Sequence, residues 1–440
     1  MPLHDDEMNK RREKREAQRR KQQAEARRLK ITLILAAVVL VLCAVGIVFL
    51  TGRSGGSETT VVEQTRPTEK PTQATEAPTR TQKSTKTTIH IKAAGDLNVT
   101  DSVINAGVSV GGYSYTRAFM DVASTLSDAD LTVLNLEGNI CGEPYGSETT
   151  SAPRELLEGL RNAGVDLIQM ANSCAINNGL IGLTSTLQNI RSAGLEPVGA
   201  FASESEFQQS KGYTITEVQG VKVAFVAFTK GLGGRGLPSG NENLVNLLYE
   251  DYATTYDKVD RDRITKILKN VEAEQPDITI ALVHWGSEYN DDVSDTQKSI
   301  ASLMKRQGVD VILGTHPHLV QAIEYDELAG TLVAYSLGDF FGDASRGGTN
   351  YSIILDLEIT KDSSTGVTKV TGYSYTPIFT VTEAESADGY RRVVRINKTV
   401  EAWEENYLDK VTQTSEESMV KALQRIDERI NPPVVDEKKK

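Results

Sequence analysis

The segment Ile278–Tyr289 reads ITIALVHWGSEY and decides the fold class. Its first half is β-prone and shows little polar alternation, which is typical of a strand buried on both faces. Polar residues begin at His284, where the predicted strand ends. The segment Val309–His318, VDVILGTHPH, repeats this design. Buried strands that end in polar clusters predict an α/β sheet whose binding site lies at the carboxyl ends of its strands.

The same alternation continues on both sides of these segments. Strand-like runs such as Thr88–Gly95 (TIHIKAAG) and Leu131–Gly138 (LTVLNLEG) alternate with amphipathic helical stretches. After about Thr349 the pattern changes to strand after strand, which suggests a second, partly antiparallel sheet packed on the first. We therefore predict an α/β domain over residues 88–400, followed by a C-terminal helix and charged tail over residues 401–440.

The first part of the chain has a different composition. Residues 1–30 hold eleven Lys or Arg against six Asp or Glu, and Ile31–Leu50 is a run of twenty residues without a charge. Such a run is long enough for a transmembrane helix, and the basic flank places its amino end in the cytoplasm. The Thr- and Pro-rich residues 51–87 are predicted to be a disordered linker. We expect a single-pass signal-anchor protein of the cell membrane, with an extracellular C-terminal domain.

Charge excludes one class of partner. The net charge of the whole chain is −12 and that of the first thirty residues is +5, so the remainder carries −17. Proteins that bind the phosphate backbone of nucleic acids need clustered Lys and Arg. We therefore expect no nucleic acid as a partner of the exported domain.

Side chains that bind metals follow most of the predicted strands. Three of the five histidines lie in such clusters, namely His284, His316 and His318, while Asp96 and Glu137 follow the first two strands. A single histidine of this kind is more often a packed core residue, but several at one sheet edge favour a metal site. Carboxylates and imidazoles are suitable ligands for Mn, Fe or Zn.

These clusters also form motifs in a fixed order between residues 88 and 345. The motifs are GDLN at Gly95–Asn98, NLEG at Asn135–Gly138, ANSCAINNG at Ala171–Gly179, VHWGSEY at Val283–Tyr289, GTHPHLVQ at Gly314–Gln321 and YSLGDF at Tyr335–Phe340. The chain resembles the capsule-synthesis CapA family, which is associated with the synthesis and export of poly-γ-glutamate. That family in turn resembles a divergent branch of the calcineurin-like metallophosphatases.

The resemblance implies both a fold and a site. The fold is a metallophosphatase-like sandwich of two mixed sheets flanked by helices, preceded here by one transmembrane helix. The site holds one or two divalent metals (Mn, Fe or Zn), and the residues that match the family's ligands are Asp96, Glu137, His284, His316 and His318. Of these, the resemblance gives His316, His284 and Asp96 catalytic roles.

The third cluster departs from the family pattern. The family has a histidine where this chain has Cys174, an asparagine at Ser173 and an aspartate at Asn177, and it has an amide where this chain has Asp339. A thiol ligates metals but is a poor proton donor at neutral pH. These departures therefore argue against catalytic turnover, whereas the residues that match the family's metal ligands argue for it.

The exported cysteines, Cys141 and Cys174, both follow strand-end clusters. Because disulfides persist outside the cell, we predict a disulfide between them as one of three readings. The other two readings are packed free thiols and a metal-ligating Cys174.

Four further residues are predicted to contact the substrate or support the site. Arg235 lies in a glycine-rich loop, Gly231–Asn243, that is expected to lie over the site and to meet an anionic group. The others are Asn172, Trp285 as a pocket wall, and Glu288 beside the histidine ligands.

Three functions remain open on the sequence. The leading prediction is a membrane-anchored CapA-like protein that supports the synthesis, export or attachment of a cell-surface anionic polymer of the capsule or poly-γ-glutamate type, with other capsule-synthesis proteins as partners. The alternatives are a catalytically inactive binding or scaffold module and an active metal-dependent phosphoesterase. Whether the chain is an enzyme stays undecided at this point.

Overall fold

The computed structural model describes residues 86–404 and 411–430, which lie within one compact unit, Arg80–Lys440. The predicted cytoplasmic tail and transmembrane helix, and all but the last two residues of the predicted linker, lie outside the described residues. Among the helices that the structure describes, none is both long enough and apolar enough to cross a membrane.

The described residues contain sixteen strands and ten helices. The strands are β1 (Lys86–Asn98), β2 (Val108–Ser109), β3 (Gly112–Tyr113), β4 (Leu131–Glu137), β5 (Leu167–Gln169), β6 (Glu196–Val198), β7 (Thr214–Val218), β8 (Val221–Thr229), β9 (Ile278–His284), β10 (Val311–Thr315), β11 (Ile323–Asp326), β12 (Thr331–Ala334), β13 (Asp339–Phe341), β14 (Tyr351–Asp362), β15 (Val367–Val381) and β16 (Arg392–Arg395). The helices are α1 (Asp101–Gly107), α2 (Thr116–Phe119), α3 (Ala123–Ser127), α4 (Glu155–Ala163), α5 (Gly179–Ser192), α6 (Glu204–Ser210), α7 (Arg261–Ala273), α8 (Asp295–Arg306), α9 (Ile396–Glu404) and α10 (Gln413–Ile430).

Two mixed sheets carry the architecture. The first has eight strands in the order β16-β15-β14-β1-β4-β5-β6, with β13 paired to the end of β1. The second has six strands in the order β11-β12-β10-β9-β8-β7. Within the first sheet β1, β4, β5 and β6 are parallel, and within the second β8, β9, β10 and β12 are parallel. The predicted mixed α/β fold with helix-flanked sheets is confirmed.

The prediction of a separate C-terminal sheet is wrong. Strand β14 pairs antiparallel with β1 from Lys86 to Ala93, so the C-terminal strands extend the first sheet. The physical reason is that β4 pairs with only one edge of β1, so the opposite edge of β1 is open to β14. The second sheet is built instead from β7 to β12.

The strand that decides the fold is buried on both faces, as predicted. Ile278, Ile280 and Leu282 of β9 belong to the large core that also contains residues of the first sheet. Ala281 and Val283 point the other way, into a second core formed with α7 and α8. The period of two along a strand thus places one row between the sheets and the other row under the helices.

Aspartates that precede parallel strands fix the register of their neighbours. The backbone N–H of Asp310 donates to Thr279 O (3.0 Å), and the N–H of Thr279 donates back to Asp310 Oδ2 (2.8 Å). The same pair of bonds joins Asp166 to Thr132, Asp130 to His90 and Asp277 to Lys222. These bonds align the amino ends of neighbouring parallel strands. The polar residues at the carboxyl ends of the strands therefore meet at one edge of the sheet.

Candidate metal centre

The carboxyl ends of β1, β4, β9 and β10 bring together every residue that was predicted as a metal ligand. Together with Asp339 they form two fully buried groups of three, and within each group the potential ligand atoms lie within 4.8 Å of one another. A third group, Glu288, His316 and His318, shares two of these histidines and includes an exposed carboxylate. The first triad is Glu137, His284 and His316, and the second triad is Asp96, His318 and Asp339. All six side chains are buried.

The first triad is built around His284, the last residue of β9. Its Nδ1 lies 3.2 Å from Thr315 Oγ1, and its Nε2 lies 3.5 Å from Glu137 Oε1. The rings of His284 and His316 are 4.6 Å apart between centroids. Burial, with neighbouring imidazoles and the charge of Lys230, holds the pKa of both histidines well below 6.5. Both imidazoles are therefore neutral, which is the form that binds metal.

The carboxylate of this triad resists ionisation. Burial and the charge of Asp96 raise the pKa of Glu137 to about 8. The hydroxyl of Ser173 donates to its Oε2 at 3.2 Å, which partly opposes that effect. The charge of His318 also favours the carboxylate form, and a bound divalent cation would favour it further.

The second triad centres on Asp96 at the end of β1, which is 0% exposed. Its Oδ1 accepts from Asn135 Nδ2 (2.6 Å) and its Oδ2 from the backbone N–H of His316 (3.0 Å). His318 Nδ1 lies 2.8 Å from Asp339 Oδ1. Burial works against protonation of His318, but Asp339, Glu137 and Asp96 outweigh it and raise its pKa to about 10. Burial likewise raises the pKa of Asp96 to about 6.

The residues fit a divalent metal pair on two independent observations. Three buried atoms of the first triad, Glu137 Oε1, His284 Nε2 and His316 Nδ1, have no hydrogen-bond partner among the described residues. Leaving such atoms unpaired costs about 1–3 kcal/mol each. In addition, the carboxylates of Asp96, Glu137 and Asp339 lie together away from water, where their mutual repulsion favours cation binding. The donor set of carboxylates and imidazoles matches Mn, Fe or Zn.

The turn after β10 presents its two histidines through an unusual backbone. His316 has a φ of 93° and His318 has a φ of 60°, and both values lie in the left-handed region that residues other than glycine rarely adopt. At Gly95 the backbone of β1 passes so close to the backbone at Gly338 that only glycine fits, because a Cβ on Gly95 would lie 1.8 Å from Gly338 O. That approach brings Asp96 N within 3.0 Å of Gly338 O and joins β1 to the segment that carries Asp339.

The model of the family described as bacterial capsule synthesis protein PGA_cap matches residues 90–344, more than half of the chain. The chain belongs to this family. The resemblance to the CapA family that the motifs indicated is therefore confirmed. One relative is the PGA biosynthesis protein CapA of Bacillus subtilis (strain 168), 30% identical over 218 residues that cover 50% of this chain and 53% of the relative. Another is the capsule biosynthesis protein CapA of Bacillus anthracis, 25% identical over 268 residues that cover 59% of this chain and 62% of the relative.

The chain thus spans between half and two thirds of the length of these two relatives. Among solved structures it is similar to the calcineurin-like phosphoesterase YfkN from Bacillus subtilis, with a TM-score of 0.41, 16% identity, and coverage of 78% of this chain and 98% of that one. It is also similar to a putative 5'-nucleotidase from Staphylococcus aureus, with a TM-score of 0.43, 12% identity, and coverage of 77% and 58%. The family assignment rests on the family model and not on these structures.

Two of the predicted substrate contacts are buried in the interior of this PGA_cap domain. Asn172 is 0% exposed, and its amide donates to Asn135 Oδ1 (3.0 Å) and to Leu136 O (2.7 Å). It therefore positions Asn135, which in turn holds Asp96. Trp285 is also 0% exposed and donates from Nε1 to Tyr335 O (2.9 Å). Both side chains are thus buried and held by hydrogen bonds within the protein, and a contact of either one with substrate stays a prediction.

The other two predicted contacts are at the surface. Glu288 is exposed and lines a cavity of about 310 Å³ together with His316. Arg235 is exposed in the predicted loop, close enough for its charge to act on the Cys174 thiol. Their roles toward a substrate stay predictions.

The predicted disulfide is a further correction, because Cys141 and Cys174 are both free thiols. Each sulfur has its own polar neighbour: Cys141 Sγ lies 3.4 Å from Ser151 Oγ, and Cys174 Sγ lies 3.9 Å from Glu137 Oε2. Burial and the charge of Glu137 raise the pKa of Cys174 to about 12. The position where the family has its histidine is thus occupied by a protonated thiol at the edge of the first triad.

Sequence reasoning missed three side chains that the structure places at or beside this PGA_cap site. Asp339 was noted only as a departure from the family, yet it completes the second triad. Asn135 was not singled out, although it lies in a strand-end cluster. Lys230 directly follows the buried strand β8 and lines the same cavity as His316. The signal that could have found Lys230 is its place after a strand, but it stands alone rather than in a cluster.

Proposed function

We propose that this protein is a membrane-anchored, extracellular CapA-like protein that supports the synthesis, export or attachment of an anionic cell-surface polymer through a two-metal, hydrolase-like site. One observation carries the proposal: two triads of carboxylates and imidazoles share one buried edge of the sandwich. Membrane placement is supported by the uncharged run Ile31–Leu50 and its basic flank. The polymer class is supported by the names of the two relatives.

Each triad is suited to one ion. Glu137, His284 and His316 would hold the first, and Asp96, His318 and Asp339 would hold the second. A bound pair of divalent ions supplies charge neutralisation at the attacking and leaving oxygens of a group transfer. Burial keeps His284 and His316 neutral and ready to ligate, and Asn135 fixes the orientation of the Asp96 carboxylate.

Proton supply is the weak part of this site. In the family a histidine stands at the position of Cys174, whose pKa is raised to about 12 by burial. A group with that pKa transfers a proton poorly at neutral pH, because efficient acid catalysis needs a pKa near the working pH. This single observation favours a second candidate function, a binding module that holds metal and polymer without turnover.

Metal content of the purified full-length chain tests the proposal. We expect about two metals per chain after incubation with manganese or zinc, and their loss in His316→Ala. His90→Ala is the control, because His90 lies on β1, the strand that also carries Asp96, but pairs with Asp356 (3.0 Å) outside both triads. Wild-type protein that takes up no metal would overturn the two-metal site, and an equal loss in both variants would show that His316→Ala acts through folding.

Turnover and topology are tested separately. Metal uptake without hydrolysis of phosphoesters or of an anionic polymer would leave the binding module as the function. Protease added to intact cells is expected to degrade the domain that contains residues 86–430, and full protection of this domain would contradict the extracellular placement.

A further inference from the structure

We infer that Lys230 forms an anion subsite beside the first triad, which binds a carboxylate or phosphate group of the substrate. The inference rests on the proposed function, because it concerns the substrate of the same site. Neither the family motifs nor the predicted ligand set includes Lys230.

The subsite is a cavity that opens next to His316. Its volume is about 310 Å³. The residues that line it come from the loops after β8, β9 and β10 and from the third strand-end cluster, and they are Ser173, Lys230, Gly231, Gly233, Tyr256, Ser287, Glu288 and His316. One wall is therefore a metal ligand of the first triad, so a group bound in the cavity lies beside the metal centre.

The Lys230 side chain is held in place by contacts within the protein. Its backbone N–H donates to His284 O (2.8 Å), which ties the residue to the end of β9. Its Nζ donates to Gly286 O (2.6 Å) and lies 4.8 Å from the centroid of the Tyr256 ring. An ammonium carries three N–H donors, and a carbonyl and an aromatic face do not use all of them. At least one donor is left for a ligand in the cavity.

Within the described part of the chain, no ion pair neutralises the charge of Lys230. Among residues 86–404 and 411–430, no carboxylate oxygen lies within 4.0 Å of its Nζ. Burial lowers the pKa of Lys230, and the charge of Glu288, on the exposed rim of the cavity, partly opposes that shift. A half-buried cation without a counter-ion, on the wall of a polar cavity, is the arrangement that anion sites use.

A lysine at the opposite end of the same strand shows the contrast. Lys222 lies near the start of β8, where its Nζ donates to Glu274 O (2.5 Å) and lies 3.9 Å from Glu274 Oε2. That lysine already has a carboxylate. Lys230, directly after the end of β8, has no carboxylate partner among the residues that the structure describes, which is why only Lys230 is assigned to a ligand.

The experiment measures anion binding rather than turnover. Inorganic phosphate and glutarate are titrated calorimetrically into the purified full-length chain, once loaded with manganese and once after chelation. We expect Lys230→Gln and Lys230→Met to weaken binding about tenfold or more, as for a lost charge-assisted hydrogen bond. Lys230→Arg, which keeps the cation, should stay within about threefold of wild type, and Lys222→Gln should bind as wild type does. Loss with phosphate alone or with glutarate alone identifies the group that is recognised.

The outcomes separate the subsite from the proposed function. Wild-type affinity in a folded Lys230→Gln or Lys230→Met chain that keeps its metal overturns the subsite and leaves the metal site standing. Absence of binding of either anion by the wild-type chain, loaded and chelated, also overturns it. Binding that depends on Lys230 in a chain that takes up no metal supports the subsite and overturns the two-metal function.

Discussion

Asn135→Ala removes the hydrogen bond that orients the buried Asp96 carboxylate, and its effect on metal affinity follows from the geometry. Asn135 Nδ2 donates to Asp96 Oδ1 at 2.6 Å, and Asn135 is itself held by Asn172. A hydrogen bond to a charged group contributes about 1.5–3 kcal/mol, so losing it should weaken metal binding at the second triad about 10- to 100-fold. The first triad has no bond to Asn135, and its ion should bind as in the wild type.

The assay is competition for manganese between the full-length chain and a chelator of known affinity, which resolves a weak site from a tight one. Asn246→Ala is the matched control, because Asn246 is equally buried, at 1% exposed, and donates to Gly212 O (2.8 Å) away from both triads. We expect Asn246→Ala to cost stability but not metal affinity. Unchanged affinity in Asn135→Ala, or an equal loss in Asn246→Ala, would refute the orienting role of Asn135.

Two further predictions concern folding and the thiols. Burial raises the folded-state pKa of Asp310 from 3.8 to about 6, so its contribution to stability is fully present below about pH 4 and is lost as the pH rises through about 6. Asp310→Asn, which keeps the acceptor for the neighbouring strand, is therefore expected to raise the free energy of unfolding at pH 7.5 by up to about 3 kcal/mol and to change little at pH 4, as measured by urea denaturation at both pH values. Denatured, unreduced full-length protein is expected to show three reactive thiols, from Cys43, Cys141 and Cys174, and a count of one would restore the disulfide.

The strand ends and five of the six triad residues could be predicted from the sequence, because two local signals agree there. An apolar run without alternation marks a strand with both faces covered, and the polar residue that ends it must lie at the carboxyl edge. His284 and His316 satisfy both signals, and β9 and β10 pair in parallel with Thr315 opposite His284.

The features that could not be predicted from the sequence depend on the direction in which a side chain points or on the pairing of strands that lie far apart in the sequence. Asp96 lies at the end of β1 and Asn172 lies just after β5. Asn172 turns inward and holds Asn135, whereas Asp96 faces the site, and no local sequence pattern distinguishes the two. The pairing of β14 with β1 joins residues more than 250 positions apart, because β1 leaves an edge that only the folded sheet reveals. Asp339 lies on a three-residue strand, β13, too short to have a period.

The left-handed backbone at His316 and His318 has a consequence for how this protein changes under selection. Glycine would adopt φ of 93° and 60° without cost, whereas a side chain there costs about 1–3 kcal/mol at each position. Stability and ligand binding therefore favour different residues at the same two positions. In a variant library screened only for folded protein, these histidines should be among the first residues to disappear, and in a library screened for metal they should be among the last.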